Sequence, residues 1–255
     1  MFSTPYLLFY TIILLANIMQ GITGFAGTIL AMPFSLILVG YPVAKPVLNV
    51  LGLLSGIYVF VGNKEHVQWK ELRKIVLIMA AGIVAGILIK GLFAGREQVL
   101  YRALGVFVVI LAVQGLWSRR PGRSASESGN TDPAEKKRSS EALVLLLPLA
   151  GIVHGIFVSG GPLLIGYLTK KLTDKREFRA TISTVWIILN TIVLLDDMRS
   201  GFWNAELLLV LAVTLPFLLG GMKIGSILYS RMSQNTFMII TYILLFISGV
   251  TLLLK

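Results

Sequence analysis

The sequence contains no cysteine. Disulfides, thiolate metal sites and cysteine-based sulfur relays are excluded, and cysteine usage says nothing about the compartment. Charge is scarce too: 14% of the 255 residues are Asp, Glu, Lys or Arg, against 56% apolar. A soluble domain carries about a quarter charged residues, so this chain lacks the polar surface that a water-facing fold needs. Acid is scarcer than base, 12 residues against 23. No carboxylate sits in the middle of an apolar stretch, and Asp196 and Asp197 merely close one. A buried carboxylate relay of the kind used by cation pumps is therefore not visible. There is also no His-Glu-x-x-His, no pair of intramembrane aspartates, no Walker loop and no clustered metal ligands. These absences argue against an enzyme and imply neither metal nor cofactor.

What is present is a set of long apolar blocks. A spanning helix needs about 20 apolar residues. On that measure the blocks are Tyr6–Gly40, Val47–Gly62, Ile75–Gly95, Val99–Trp117, Ala142–Leu168, Ala180–Leu195, Ala205–Ser230 and Phe237–Leu254. The chain reads as an all-α, polytopic integral membrane protein with about eight hydrophobic segments. The net charge of +11 lies in the short segments between blocks, as expected of loops facing anionic cytoplasmic lipid. That distribution points to membrane lipid as a partner and away from nucleic acid. Residues 118–141 are rich in Ser, Gly and both charge signs, and read as a disordered cytoplasmic linker. They divide an N-terminal transmembrane repeat, 1–117, from a C-terminal one, 142–255.

The two halves repeat each other. A shift of 134 residues sets Gln20-Gly21-Ile22 over His154-Gly155-Ile156, Gly27 over Gly161, and Lys45 over Arg179. Gly82-x-x-x-Gly86 matches Gly221-x-x-x-Gly225 at a slightly larger offset. With one crossing per block, the basic run Lys170–Arg179 would face the side opposite Lys64, Lys70, Arg73, Lys74 and the linker. The conflict disappears if Ala142–Leu168 enters the membrane and returns, broken at Gly155, Gly160, Gly161 and Pro162. Asp196-Asp197 then becomes an acidic turn on the outside. Tyr6–Gly40 is too long for one simple span and is interrupted by Gly21, Gly24, Gly27 and Pro33. Two halves with odd numbers of passes are inverted relative to each other, the architecture of secondary transporters.

Non-helical backbone at membrane depth is tolerated only where protein or water covers it. Residues 20–27 and 154–162 are the candidate sites, because broken helices expose amide donors and positive dipole ends suited to anions. Thr23, Thr28 and Ser159 add hydroxyls. The alternative is close helix packing through small residues, the favoured reading for the Gly82/Gly86 and Gly221/Gly225 pairs. His154 is either a satisfied core imidazole or a substrate donor and proton carrier; its repeat mate Gln20 can donate but not titrate. Lys45 and Arg179 either snorkel to the interface or draw anions toward a vestibule. Asn49, Ser183, Thr184 and Asn190 line a path or bond between helices.

The stretch Gln20-Gly-Ile-Thr-Gly-Phe-Ala-Gly27, with Pro33, Ala44 and Asn49, resembles the sulfite exporter TauE/SafE family. So do Gly151, Gly155, Gly160-Gly161-Pro162, Tyr167, Phe178-Arg179-Ala180-Thr181, Gly221-x-x-x-Gly225 and Ser248-Gly249. The resemblance implies a multi-pass protein of a bacterial or archaeal inner membrane, with about eight helices in two related halves, exporting sulfite, organosulfonates or other sulfur-linked anions. Together the residues and the resemblance lead to a secondary transporter of a small sulfur-containing or carboxylate anion. Its site is expected at Gln20, Gly21, Thr23, Gly24, Gly27, Lys45, Asn49, His154, Gly155, Ser159, Gly160, Gly161 and Arg179. The rival readings are a channel-like anion pore and a non-transporting scaffold or assembly factor; a homo-oligomer is compatible with each.

Overall fold

A computed structural model describes residues 4–89, scattered positions between 102 and 117, and residues 144–158 and 160–254. Ser159, Lys90, the expected linker and nine residues of the block at 99–117 lie outside the described residues. The described elements are α1 (Thr4–Thr23), α2 (Ala26–Val39), α3 (Tyr41–Asn63), a short 3-10 turn (Lys64–His66) and α4 (Trp69–Ile89). The second half gives α5 (Leu146–Phe157), α6 (Gly161–Lys171), α7 (Lys175–Arg199), α8 (Ala205–Ser230) and α9 (Gln234–Leu253). Among the described residues there is no strand.

Six of these helices, α1, α3, α4, α7, α8 and α9, are long and apolar enough to cross a membrane. Outward faces suit that solvent: Leu77 and Leu88 on α4 are 73% and 77% exposed, and Ile37 on α2 is 83% exposed. Apolar side chains held outward in this number suit lipid. Where α7, α8 and α9 begin, polar side chains cap the free amides. Asp174 accepts from the backbone N–H groups of Arg176 and Glu177, Asn204 from Leu207, and Ser233 from Thr236.

The first and fifth apolar blocks are both broken. Gly24, at φ +82°, ends α1, and α2 folds back so that Gly27 comes beside Gln20 and Ala16. In the second half Val158, at φ 54°, ends α5, and Gly160 returns against Ala150 and His154. Two arms of 12 and 11 residues, at about 1.5 Å per residue, each reach only half-way through a bilayer.

The halves interlock through glycine. α1 lies along α8 in the same direction, with Tyr10 stacked on Phe217 and Gly21 against Met222 and Gly225. A methyl group at Gly21 would stand 2.8 Å from the Met222 carbonyl oxygen. The corresponding pair, α4 and α5, is built likewise: Gly82 meets Pro148 and Gly151, and Gly155 meets Ile83. Gly82/Gly86 and Gly221/Gly225 are thus packing seams, where only the absence of a side chain lets the helices approach so closely. The counterpart helices α3 and α7 run antiparallel at the centre: Lys45 meets Asp197, Asn49 meets Asn190, and Gly56 meets Ser183.

Both basic clusters lie at one end of the molecule. The Gln68 N–H donates to Thr181 Oγ1 at 2.9 Å, and its side-chain amide donates to Glu177 at 2.7 Å. Tyr167 Oη donates to Glu71 at 2.7 Å. These contacts bring Lys64, Lys70, Arg73 and Lys74 to the same end as Lys170, Lys171, Lys175 and Arg176. The expected acidic turn is corrected: Asp196 and Asp197 belong to the last turns of α7, and Asp197 is fully buried. α3 and α7 extend beyond the apolar blocks at 47–62 and 180–195, because pairing lets charged residues such as Lys45 and Asp197 enter the helices.

Candidate functional site

The two breaks meet beside the α3–α7 crossing around a small cavity whose water-accessible volume is about 20 Å³. Its walls include Gln20, Thr28, Gly52, His154, Trp186 and Asn190. The shift of 134 that sets Gln20 over His154 also sets Gly52 over Trp186. A smaller space continues behind Gln20 and Thr28 toward Asn17 and Ser55.

The first break is closed upon itself. Thr23 Oγ1 accepts from the N–H groups of Phe25 and Ala26 at 3.3 and 3.1 Å, and Gln20 Oε1 accepts from Gly27 N–H at 2.8 Å. Gln20 Nε2 donates to Ser55 Oγ at 2.9 Å and to the Gly24 carbonyl at 3.3 Å. The expectation that this break presents free amides to a solute is corrected here: side chains of α1 already occupy the amides of residues 25 to 27. Thr23 and Gln20 act first as caps, in the manner of polar groups at a helix start.

Lys45 is also corrected as a free vestibule cation. It is 1% exposed, paired with Asp197, and 3.8 Å from Asp196. Arg179 is engaged as well. Its Nε and one terminal nitrogen donate to the Gly21 carbonyl at 3.0 and 2.6 Å, and it donates to Ser226 Oγ at 3.0 Å while lying 4.3 Å over the Tyr229 ring. Neither residue snorkels; both cations are buried and held from opposite ends of α7.

His154 reaches Asn190 Oδ1 through Nε2 at 3.0 Å and stacks on Trp186 at 5.2 Å. Asn49 donates to the Asn190 carbonyl at 3.1 Å. His154 Nδ1, Trp186 Nε1 and Asn49 Oδ1 are buried with no protein partner. Among the other expected site residues, Gly27 and Gly161 lie beside the cavity, Gly161 also lining it, while Gly21, Gly155 and Gly160 serve backbone contacts. Gly24 supplies the positive φ at the break, against Ser183. Ser159 lies outside the described residues.

The chain matches the family model described as Sulfite exporter TauE/SafE over residues 9–252. It belongs to the sulfite exporter TauE/SafE family. The protein is accordingly a multi-pass membrane protein of a transporter family whose members export sulfite and related sulfur anions. Comparison with curated proteins and with solved structures finds no match for the chain.

Trp186, Gly52, Ser55 and Asp197 are cavity or seam residues that sequence reasoning did not select. A signal for them exists. Lys45, Asn49, Gly52 and Ser55 recur at helical spacing on α3, as do Ser183, Trp186, Asn190 and Asp197 on α7. Each set forms one stripe along its helix. The two stripes face each other and make a polar seam along the antiparallel pair, with the cavity near its middle.

Proposed function

We propose that the protein is a secondary transporter, an exporter of a small anion such as sulfite, an organosulfonate or a related sulfur-containing or carboxylate anion. The substrate binds in the cavity between the two broken hairpins. The observation that carries this is the convergence there of Trp186 Nε1 and His154 Nδ1, buried polar atoms that the protein itself leaves without a partner. A buried indole N–H ordinarily finds an acceptor, and an anionic oxygen supplies one.

In this reading the two transmembrane repeats, 1–117 and 142–255, are inverted in a bacterial or archaeal inner membrane, with the shared basic end in the cytoplasm. The antiparallel course of α3 and α7 and the position of the site at the repeat interface support it. The Lys45–Asp197 contact closes the polar seam toward one end, and the Arg179–Gly21 contact closes it toward the other. Alternating access then consists of loosening one closure while the other holds.

A flux assay on purified protein in liposomes, with sulfite, methanesulfonate, thiosulfate and small carboxylates, tests this. Saturable uptake with counterflow of at least one anion is expected. Conductance without counterflow identifies a pore, and no flux of any of these anions overturns the reading.

A further inference from the structure

His154 is the one titratable side chain among the described residues lining the cavity. The neighbouring cations are already committed, Lys45 to Asp197 and Asp196, and Arg179 to Gly21 and Ser226. A small anion entering this space would bring a negative charge among neutral walls. In a low-dielectric interior an unpaired charge is strongly disfavoured. Either the site rejects anions or something on its wall becomes positive when they arrive.

His154 is built to do so. With Asn190 presenting its side-chain oxygen, Nε2 carries the hydrogen, and the Nδ1 lone pair is left buried with no protein partner. Protonation at Nδ1 therefore breaks no hydrogen bond and leaves the Asn190 contact in place. The charged and titratable groups facing His154 are few. α3 brings Lys45, and also Tyr41, whose hydroxyl donates to the Ile156 carbonyl at 3.1 Å; α7 brings Asp196 and Asp197. The surface of α4 against α5 is apolar at Met79, Gly82 and Ile83. α1 and α2 contribute only the uncharged Gln20 and Thr28. On α6, Tyr167 directs its hydroxyl to Glu71 instead. Lys45 is paired with Asp197, so the negative charge that favours a proton on His154 is the one the anion itself brings.

We propose that His154 is the proton-binding group of the transport cycle, so that each anion crosses with one proton carried on Nδ1 and the loaded cavity is neutral. This inference rests on the transport reading above. The proton comes from water on the entry side and returns to water on the exit side, while Nε2 keeps its own hydrogen, donated to Asn190 Oδ1. The repeat is asymmetric here, since Gln20 holds the corresponding place in the first half and cannot titrate. One proton site per cycle follows.

The test uses the full chain in liposomes containing a pH-sensitive dye, with methanesulfonate as the probe. This anion stays ionised near neutral pH and cannot carry the proton itself. The expected result is one proton taken up per anion, with a rate that follows the pH gradient and responds little to an imposed membrane potential. His154→Gln, which places in the second half the residue that the first half already carries, should lower the proton-to-anion ratio at least about ten-fold and make the remaining flux depend on potential. Wild-type methanesulfonate flux without proton movement overturns the proposal without recourse to any variant. So does a wild-type ratio retained in His154→Gln. If the wild type moves none of sulfite, methanesulfonate, thiosulfate or small carboxylates, the transport reading itself falls and this inference with it.

Discussion

Lys45 and Asp197, 152 positions apart in the chain, form an ion pair in which neither side chain meets solvent. The contact joins the start of α3 to the end of α7 and fixes the register of the central antiparallel pair.

Removing either partner strands a charge in an apolar interior, which typically costs about 3–5 kcal/mol. Lys45→Met and Asp197→Asn should each lower the melting temperature in detergent sharply. The double variant Lys45→Met/Asp197→Leu should regain most of it. Equal stability in both single variants and the wild type would remove the pair from the architecture.

Gly225 and Gly62 make a matched contrast. A methyl group at Gly225 would collide with the Ile18 carbonyl oxygen, whereas at Gly62 it meets nothing within 4 Å. Gly225→Val should abolish the monodisperse peak in size-exclusion chromatography, while Gly62→Ala elutes as the wild type does. A well-behaved Gly225→Val protein would contradict the close α1–α8 crossing.

Trp186→Phe keeps an aromatic ring beside His154 and loses the five-membered ring that carries the Nε1 hydrogen. Loss of one hydrogen bond to a charged acceptor is worth about 1.5–3 kcal/mol, so KM for the transported anion should rise by about ten-fold or more. An unchanged KM would place the anion elsewhere.

Orientation can be read by thiol labelling, because the chain carries no cysteine of its own. Lys45 is buried and unsuitable, whereas Glu65 and Ser200 are exposed at opposite ends. Glu65→Cys should react from the cytoplasmic face and Ser200→Cys from the outer face. Labelling of both from one side would contradict the proposed membrane orientation.

Much of the fold was legible in the sequence. Apolar block length identifies helices meant for lipid, and the glycine-rich interruptions at 20–27 and 154–162 locate the two breaks. The shared shift of 134 identifies α3 and α7 as counterparts. Less of the site was legible. Spacing presents Thr23 and Gln20 as donors for a solute, yet their oxygens turn back to cap α2. Asp197 looks like a loop residue because it ends an apolar block, and only a partner on another helix makes its burial tolerable.

By itself, the sequence determined the solvent of this protein, its helical class and the places where two of its apolar blocks break. Those properties follow from local composition and spacing, which act wherever the chain lies. The tertiary structure decided which buried polar atoms are satisfied by the protein and which are left for a guest. That depends on contacts between residues more than a hundred positions apart, such as Asn49 with Asn190 and Gly21 with Arg179. No local pattern encodes them, because each side chain has several partners within reach until the packed helices leave it one.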